Sequence, residues 1–182
     1  MTTKQELAFL LSGIGNNPTR RSLTFLHIKV ESSKTVMTTA NAYIIKRVET
    51  CSDMADGEYF LSGECLKAAV RKAKKKSAIH FDKNGLHVDD ITFTYNVDGI
   101  EYPNLDSLMN PRRYGGTPPI DRIGFIPIWL IDVLKNAPSD VVKFSFDASS
   151  QPTGHGYDGP VKIDFYGYPE YAALIMPIRL KF

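Results

Sequence analysis

Residues 171–182 read YAALIMPIRLKF, and how this stretch is read decides the fold. Ala173, Leu174, Ile175 and Met176 run straight into Pro177, and Arg179 is set between Ile178 and Leu180. Proline fixes φ and has no N–H to donate, so a strand continuing through it is confined to a sheet edge or ends there. Burial preference alone predicts a strand that buries Leu174, Met176 and Ile178, with Pro177 guarding an edge.

Working back from the tail, VVKFSFD (141–147) and PVKIDF (160–165) read as two further strands, joined by a long loop, ASSQPTGHGYDG (148–159). Ahead of them, IGFIPIWLIDVLKNAP (123–138) reads as a short strand entering a helix, with Pro127 acceptable in the first helical turn. The same cycle occurs in DGEYFLSGECLKAAVRKAKKKS (56–77). Tyr59–Leu61 form a strand, Ser62 or Gly63 caps a helix, and Leu66, Ala69, Val70 and Ala73 make its apolar stripe. AIHFDK, GLHVDD and ITFTYNVDG then read as strands with hairpin-like connections. The first cycle starts at KQELAFLLSGI (4–14), where Leu7, Leu10, Leu11 and Ile14 share one helix face. GNNPTRR breaks it, and SLTFLHIKVES and KTVMTTANAYIIKRVE follow as β-rich stretches. In the first of these, Leu23, Phe25 and His27 alternate with Leu26, Ile28 and Val30. One unit, a helix followed by strands, is used three times at a period of roughly 55–60 residues. The fold class is α+β, with sheets covered on one face by helices.

Composition sets wide bounds. The chain has 182 residues, 43% apolar and 23% charged, with net charge +2, an ordinary globular make-up too mildly basic to imply nucleic acid by itself. Cys51 and Cys65 have no CxxC or Cys/His company, so free thiols in a reducing cytoplasm are expected, with no metal and no cofactor. The start is too acidic for a signal peptide, and no apolar run is long enough to cross a membrane. His80, His87, His155, Asp89 and Asp90 fit no metal spacing, TGHGYDG lacks the helix and lysine of a phosphate loop, and no nucleophile elbow is present. No catalysis is read.

Four stretches in order resemble one family, the bacterial DNA sliding clamp, the beta subunit of DNA polymerase III. YAALIMPIRL resembles its closing Met-Pro-x-Arg-Leu strand. DGIEYPNLDSLMNP resembles the segment closing its middle domain. TTANAYII resembles its Ala-Thr-Asp-Gly-(Tyr/His)-Arg-Leu turn, with Asn41, Ala42 and Ile44 replacing Asp, Gly and Arg. IGFIPIWLIDVLKNAP with VKFSFD resembles the second half of its last domain. The resemblance implies a DNA-clamp fold in shortened form: residues 1–109 as a complete clamp-like domain and 110–182 as half of another. The first domain and the first half of the last are missing, and PRRYGGTPP stands at the joint.

What the resemblance implies about function follows by position. The family's peptide groove maps to Asn41, Ala42, Tyr43, Ile44, Ile45, Pro103, Leu108, Met176, Pro177, Ile178, Arg179 and Leu180. Such a groove is apolar with a few orienting polar groups, and methionine adapts to different anchors. Ala173–Ile175 are expected in the core, with the groove wall beyond them. Clamp helices face double-stranded DNA without reading its sequence, which nominates Lys67, Arg71, Lys72, Lys74, Lys75 and Lys76, with Arg20 and Arg21 from a nearby turn. A solvated helix face is the alternative for those lysines. The expected function is a processivity factor, of phage or mobile-element type, that tethers a DNA polymerase or other replication-protein peptide to DNA and self-associates. The alternative is a clamp-derived binding module that forms no ring.

Overall fold

The computed structural model describes residues 2–96, 99–114, 123–147, 157 and 159–178. Helix α1 spans Lys4–Leu11 and opens with a reciprocal cap: the Thr3 hydroxyl accepts from the Glu6 N–H at 3.1 Å, and the Glu6 carboxylate accepts from the Thr3 N–H. Leu7 and Leu10 are fully buried, and Leu11 and Ile14 pack against the same core. Gly13 follows the helix at a point where a Cβ would stand 2.5 Å from Thr39 Oγ1 and 3.2 Å from Lys46, so the chain comes this close to the sheet only because that residue has no side chain.

A 3-10 turn (Pro18–Thr24) leads into an antiparallel meander of β1 (Phe25–Glu31), β2 (Lys34–Ala40) and β3 (Ile44–Cys51). Strand β4 (Gly57–Ser62) returns to the free side of β1. Ser62, its last residue, caps α2 (Gly63–Lys72) by accepting from the Cys65 N–H at 3.2 Å. A separate three-stranded sheet follows, β5 (Ile79–Asp82), β6 (Gly85–Val88) and β7 (Ile91–Thr94). A short helix, α3 (Asp106–Met109), and a 3-10 turn (Pro111–Tyr114) precede α4 (Pro127–Leu134), whose Pro127 occupies the first turn as expected. Strands β8 (Val142–Phe146), β9 (Val161–Phe165) and β10 (Tyr168–Ile175) complete the third unit. The strand expected just before α4 is reduced to a single bridge, Gly124 to Ile178. Short chain segments flanked by Pro127 on one side have little length over which to build a ladder.

The seven strands of the main sheet run in the order β4-β1-β2-β3-β10-β9-β8, all antiparallel. In space the units therefore lie two, one, three. The third unit joins the first through β3 and β10, with Ile44 opposite Ile175 and Val48 opposite Tyr171. This corrects the edge reading of the tail. Strand β10 is interior to the sheet, and Pro177 lies beyond its end and guards no edge.

All three long helices lie on one face of this sheet. Ile44, Val48, Ala173 and Ile175 point toward them into the main core, while Ile45 and Leu174 point the other way. There they meet Ala40, Met109 and Tyr114 in a second, smaller cluster under the 105–114 segment. Each buried Leu or Ile of this kind stabilises the fold by about 1.5–3 kcal/mol. Met176, by contrast, is 37% exposed, so the buried part of the tail ends at Ile175.

Candidate functional site

The turn between β2 and β3 is built by Asn41. Its Oδ1 accepts from the backbone N–H groups of Tyr43 (2.8 Å) and Ile44 (2.9 Å), and its own N–H donates to the Ile44 carbonyl at 3.0 Å. Ala42 and Tyr43 are thereby pushed into solvent. The tail is fastened to this turn. The Met176 N–H donates to the Tyr43 carbonyl, and two residues on the Ile178 N–H donates to the Gly124 carbonyl, both at 2.9 Å. Three segments far apart in sequence thus meet: the 41–43 turn, residues 123–129 and residues 176–178.

Tyr43 is stacked on Trp129, with ring centroids 3.7 Å apart and planes 14° from parallel. Beside the stack lies a cavity of 390 Å³, walled by Leu23, Asn41, Ala42, Tyr43, Ile128 and Trp129, with Arg20 and Asp132 also lining it. Sequence reasoning missed Trp129. It is the chain's single tryptophan, placed where an apolar helix begins, and half-exposed tryptophan is over-represented at binding surfaces. Arg20, expected toward DNA, lines this cavity.

The remaining groove candidates separate. Ile45 and Leu108 sit on the opposite sheet face in the small cluster, where the Tyr114 hydroxyl donates to the Leu108 carbonyl at 2.6 Å. Ile44 is 1% exposed and belongs to the main core, so its side chain is not on a rim. Pro103 is exposed and lines a different depression, of 340 Å³, with Lys29, Thr38, Arg47 and Asp106. Pro177 and Ile178 are half-buried, and Arg179 and Leu180 lie outside the described residues.

On the helix side, Lys67, Arg71 and Lys72 of α2 and Lys74, Lys75 and Lys76 beyond it are all exposed, as is Arg21, and none forms an ion pair among the described residues. The buried stripe of α2, Leu66, Ala69 and Ala73, faces the other way. Helix α4 differs. Its outward residues Ile128 and Ile131 are 55% and 59% exposed, apolar where α2 is cationic.

Among the described residues one cation lies in the core, Lys46. The residue is fully buried on β3. Its Nζ donates to Ser12 Oγ (2.7 Å) and to the Lys135 carbonyl (2.9 Å), and lies 4.2 Å from the centre of the Phe9 ring. Ser12 and Lys135 end α1 and α4, neither of which has a basic residue in its last turn, so one ammonium serves both helix C-termini. Burial pushes its pKa down to about 7, partly opposed by Asp132.

The histidines and acids have structural partners. His80 stacks on His87 at 4.7 Å, His87 bonds to Asp82 at 2.9 Å, and Asp89 accepts from Ser77 and the Ala78 N–H. Asp90 is exposed in the following turn, and His155 lies outside the described residues. Among the described residues no three His, Cys, Asp or Glu side chains gather in a metal-like group, and no helix is long and apolar enough to cross a membrane.

No protein-family model matches the chain, and no curated protein matches it in sequence. Solved structures do. The DNA polymerase sliding clamp from Bacillus subtilis superposes with a TM-score of 0.73 at 15% identity, covering 98% of this chain and 62% of that one. The DNA polymerase III beta subunit from Thermotoga maritima gives 0.68 at 13% identity, covering 99% and 65%. A sliding clamp from Pseudomonas aeruginosa, bound to griselimycin, gives 0.69 at 11%, covering 98% and 64%. The chain has the α+β sliding-clamp fold and spans slightly under two thirds of the length of these clamps.

Proposed function

We propose that this chain is a shortened sliding clamp that tethers replication proteins to DNA through a peptide groove at the junction of its first and third units. Residues 1–109 act as a complete clamp-like domain and 110–182 as half of another. The observation that carries the reading is the meeting of three remote segments: the 41–43 turn and Trp129 form an aromatic stack beside a cavity of 390 Å³, and the 176–178 tail is hydrogen-bonded to Tyr43 and Gly124. Such a site suits a short peptide with hydrophobic anchors: Tyr43, Trp129, Leu23 and Met176 offer apolar surface, and Arg20 and Asp132 offer one charge of each sign for orientation. Exposed cations on α2, which form no ion pair among the described residues, supply non-specific attraction to duplex phosphates. The role is that of an accessory subunit working in the cytoplasm, with no catalysis and no cofactor, and it requires several copies to surround DNA.

Calorimetric titration with a short peptide carrying two or three hydrophobic anchors tests this. Micromolar binding is expected, about −8 kcal/mol. Griselimycin, which the Pseudomonas clamp binds, is a ready competitor and should displace the peptide. Equal binding by the Trp129→Ala chain would refute the groove. One observation favours the second reading, a binding module without a ring: Ile128 and Ile131 put apolar surface on the helix side, where a DNA-facing wall calls for cations. Retention on nicked circular DNA separates the two, since a ring slides off after linearisation and a module never stays on at moderate salt.

A further inference from the structure

Strand β3 and the turn before it meet helix α4 at two points. Tyr43 stacks on Trp129 near the start of the helix, and Lys46 donates to the Lys135 carbonyl just past its end. Extended chain from residue 43 to residue 46 covers about 10 Å, and helix from residue 129 to residue 135 covers about 9 Å. The spans match, so α4 lies along the strand and the two attachments together fix its direction. Two other side-chain bonds at this end, Gln5 to the Ala137 carbonyl (3.2 Å) and Asn136 to the Ala8 carbonyl (3.0 Å), tie the segment after α4 to α1 and not to the sheet. The Lys46 ammonium ties it to the sheet, and without it the Lys135 carbonyl is left with a 3.4 Å bond from Ser12 Oγ.

The same lysine is joined to the cavity by a charge. Asp132, three residues before Lys135 on α4, is half-buried, lines the cavity beside Trp129 and favours the charged form of Lys46. The Lys135 side chain acts in the opposite sense. The other elements packed on Lys46 bring no charge to it: α1 presents Ser12 and Phe9, and β2 and β10 place Thr39 and Ala173 opposite it. We propose that Lys46 is a positioning residue for the peptide groove: it aligns the Trp129 wall and, through Asp132, sets the charge that the groove prefers in a bound peptide. The proposal rests on the groove reading and specifies the regulation of that site. A protonated Lys46 engages Asp132 and adds a positive charge beside the cavity, which disfavours a cationic peptide residue there and favours an anionic one. Loss of that proton reverses the preference. Burial brings the pKa of Lys46 to about 7, so the reversal falls at neutral pH.

Calorimetric titration of the full chain at pH 6, 7 and 8 tests it. The probes are two peptides with the same hydrophobic anchors and blocked ends, one flanked on both sides by lysine and the other by glutamate. Neither probe titrates in this range. From pH 6 to pH 8 the lysine-flanked peptide should bind about threefold tighter or more, and the glutamate-flanked peptide weaker by a similar factor. Lys46→Met should flatten both profiles and weaken both peptides at pH 7, because the wall loses one of its two attachments. Asp132→Asn should also flatten both profiles, and it serves in place of Lys46→Met if circular dichroism shows that variant unfolded. A purely structural role for Lys46 would move both peptides alike. Parallel or flat wild-type profiles therefore overturn the proposal, as do opposed profiles that persist in the folded variants at 46 and 132. Failure of both peptides to bind at every pH overturns the groove reading and this proposal with it, whereas binding without opposed profiles overturns this proposal alone.

Discussion

The first unit meets its two neighbours in different ways. Against the second it pairs β1 with β4 and also packs helix on helix, α1 beside α2, with the contact filled by Leu11, Ile14, Leu66 and Ala69. Against the third it pairs strand on strand through β3 and β10, and the side chain under the helix ends is a lysine. A backbone ladder holds both junctions whatever their side chains are, and the first adds a helix pair that side-chain shape must hold. The β3–β10 junction, where the ends of α1 and α4 share the Lys46 ammonium, is therefore free to carry that buried group on one face, an aromatic stack at its end and a cavity beside that.

The sharpest test of this contrast is truncation on each side. Leu66→Ala, fully buried in the helix junction, should cost about 2–5 kcal/mol in urea unfolding, from lost transfer energy and a rigidly walled cavity. Leu174→Ala lies in a small cluster covered by a short segment that can settle, and should fall at the low end of that range. If Leu174→Ala proves the costlier of the two, the contrast is wrong.

Lys46 gives the next largest effect. Its folded pKa is lowered from 10.5 to about 7, so between those values the unfolded chain binds the proton and the folded chain does not. Stability should then rise with pH from about 7 to about 10.5, by a few kcal/mol and at most about 5, and stay at its lower value below that window. Lys46→Met should remove this rise. The difference between wild-type and variant unfolding curves across the window measures it, and parallel curves would show that the ammonium keeps its proton through other contacts.

The aromatic stack and the tail come third. Trp129→Ala and Met176→Ala should each weaken peptide binding by about 1–2 kcal/mol, Trp129 by more, and change stability less than Leu66→Ala does. An unchanged affinity for both would place the groove elsewhere. The smallest effect on stability belongs to the solvent face of the helix junction. Reversing Lys72, Lys75 and Lys76 to Glu should move unfolding by no more than about 0.5 kcal/mol while abolishing DNA retention, and wild-type retention should fall steeply with added salt. Equal retention by variant and wild type would return these lysines to a solvated face.

Much of the architecture was legible in the sequence, because its signals are local. Leu7, Leu10, Leu11 and Ile14, and again Leu66, Ala69, Val70 and Ala73, mark helix faces by their spacing alone, and Ser62 and Pro127 mark where two helices start. The end of the buried tail at Ile175 followed from Pro177, which cannot extend a ladder. What tertiary structure alone decided is which remote elements meet. Pairing β3 with β10 makes the last strand central, since a period of two fixes which face a side chain takes and says nothing about the strand beside it. The alternation Ile44, Lys46, Val48 already put the lysine on the core face, but a lysine is expected in water. Only the arrival of the ends of α1 and α4 over β3 gives its ammonium the Ser12 hydroxyl and the Lys135 carbonyl that make burial tolerable. Tyr43 and Trp129 carry no sign of each other in the sequence. They stack because the β2–β3 turn and the start of α4 are brought together by strands whose pairing only the folded chain determines.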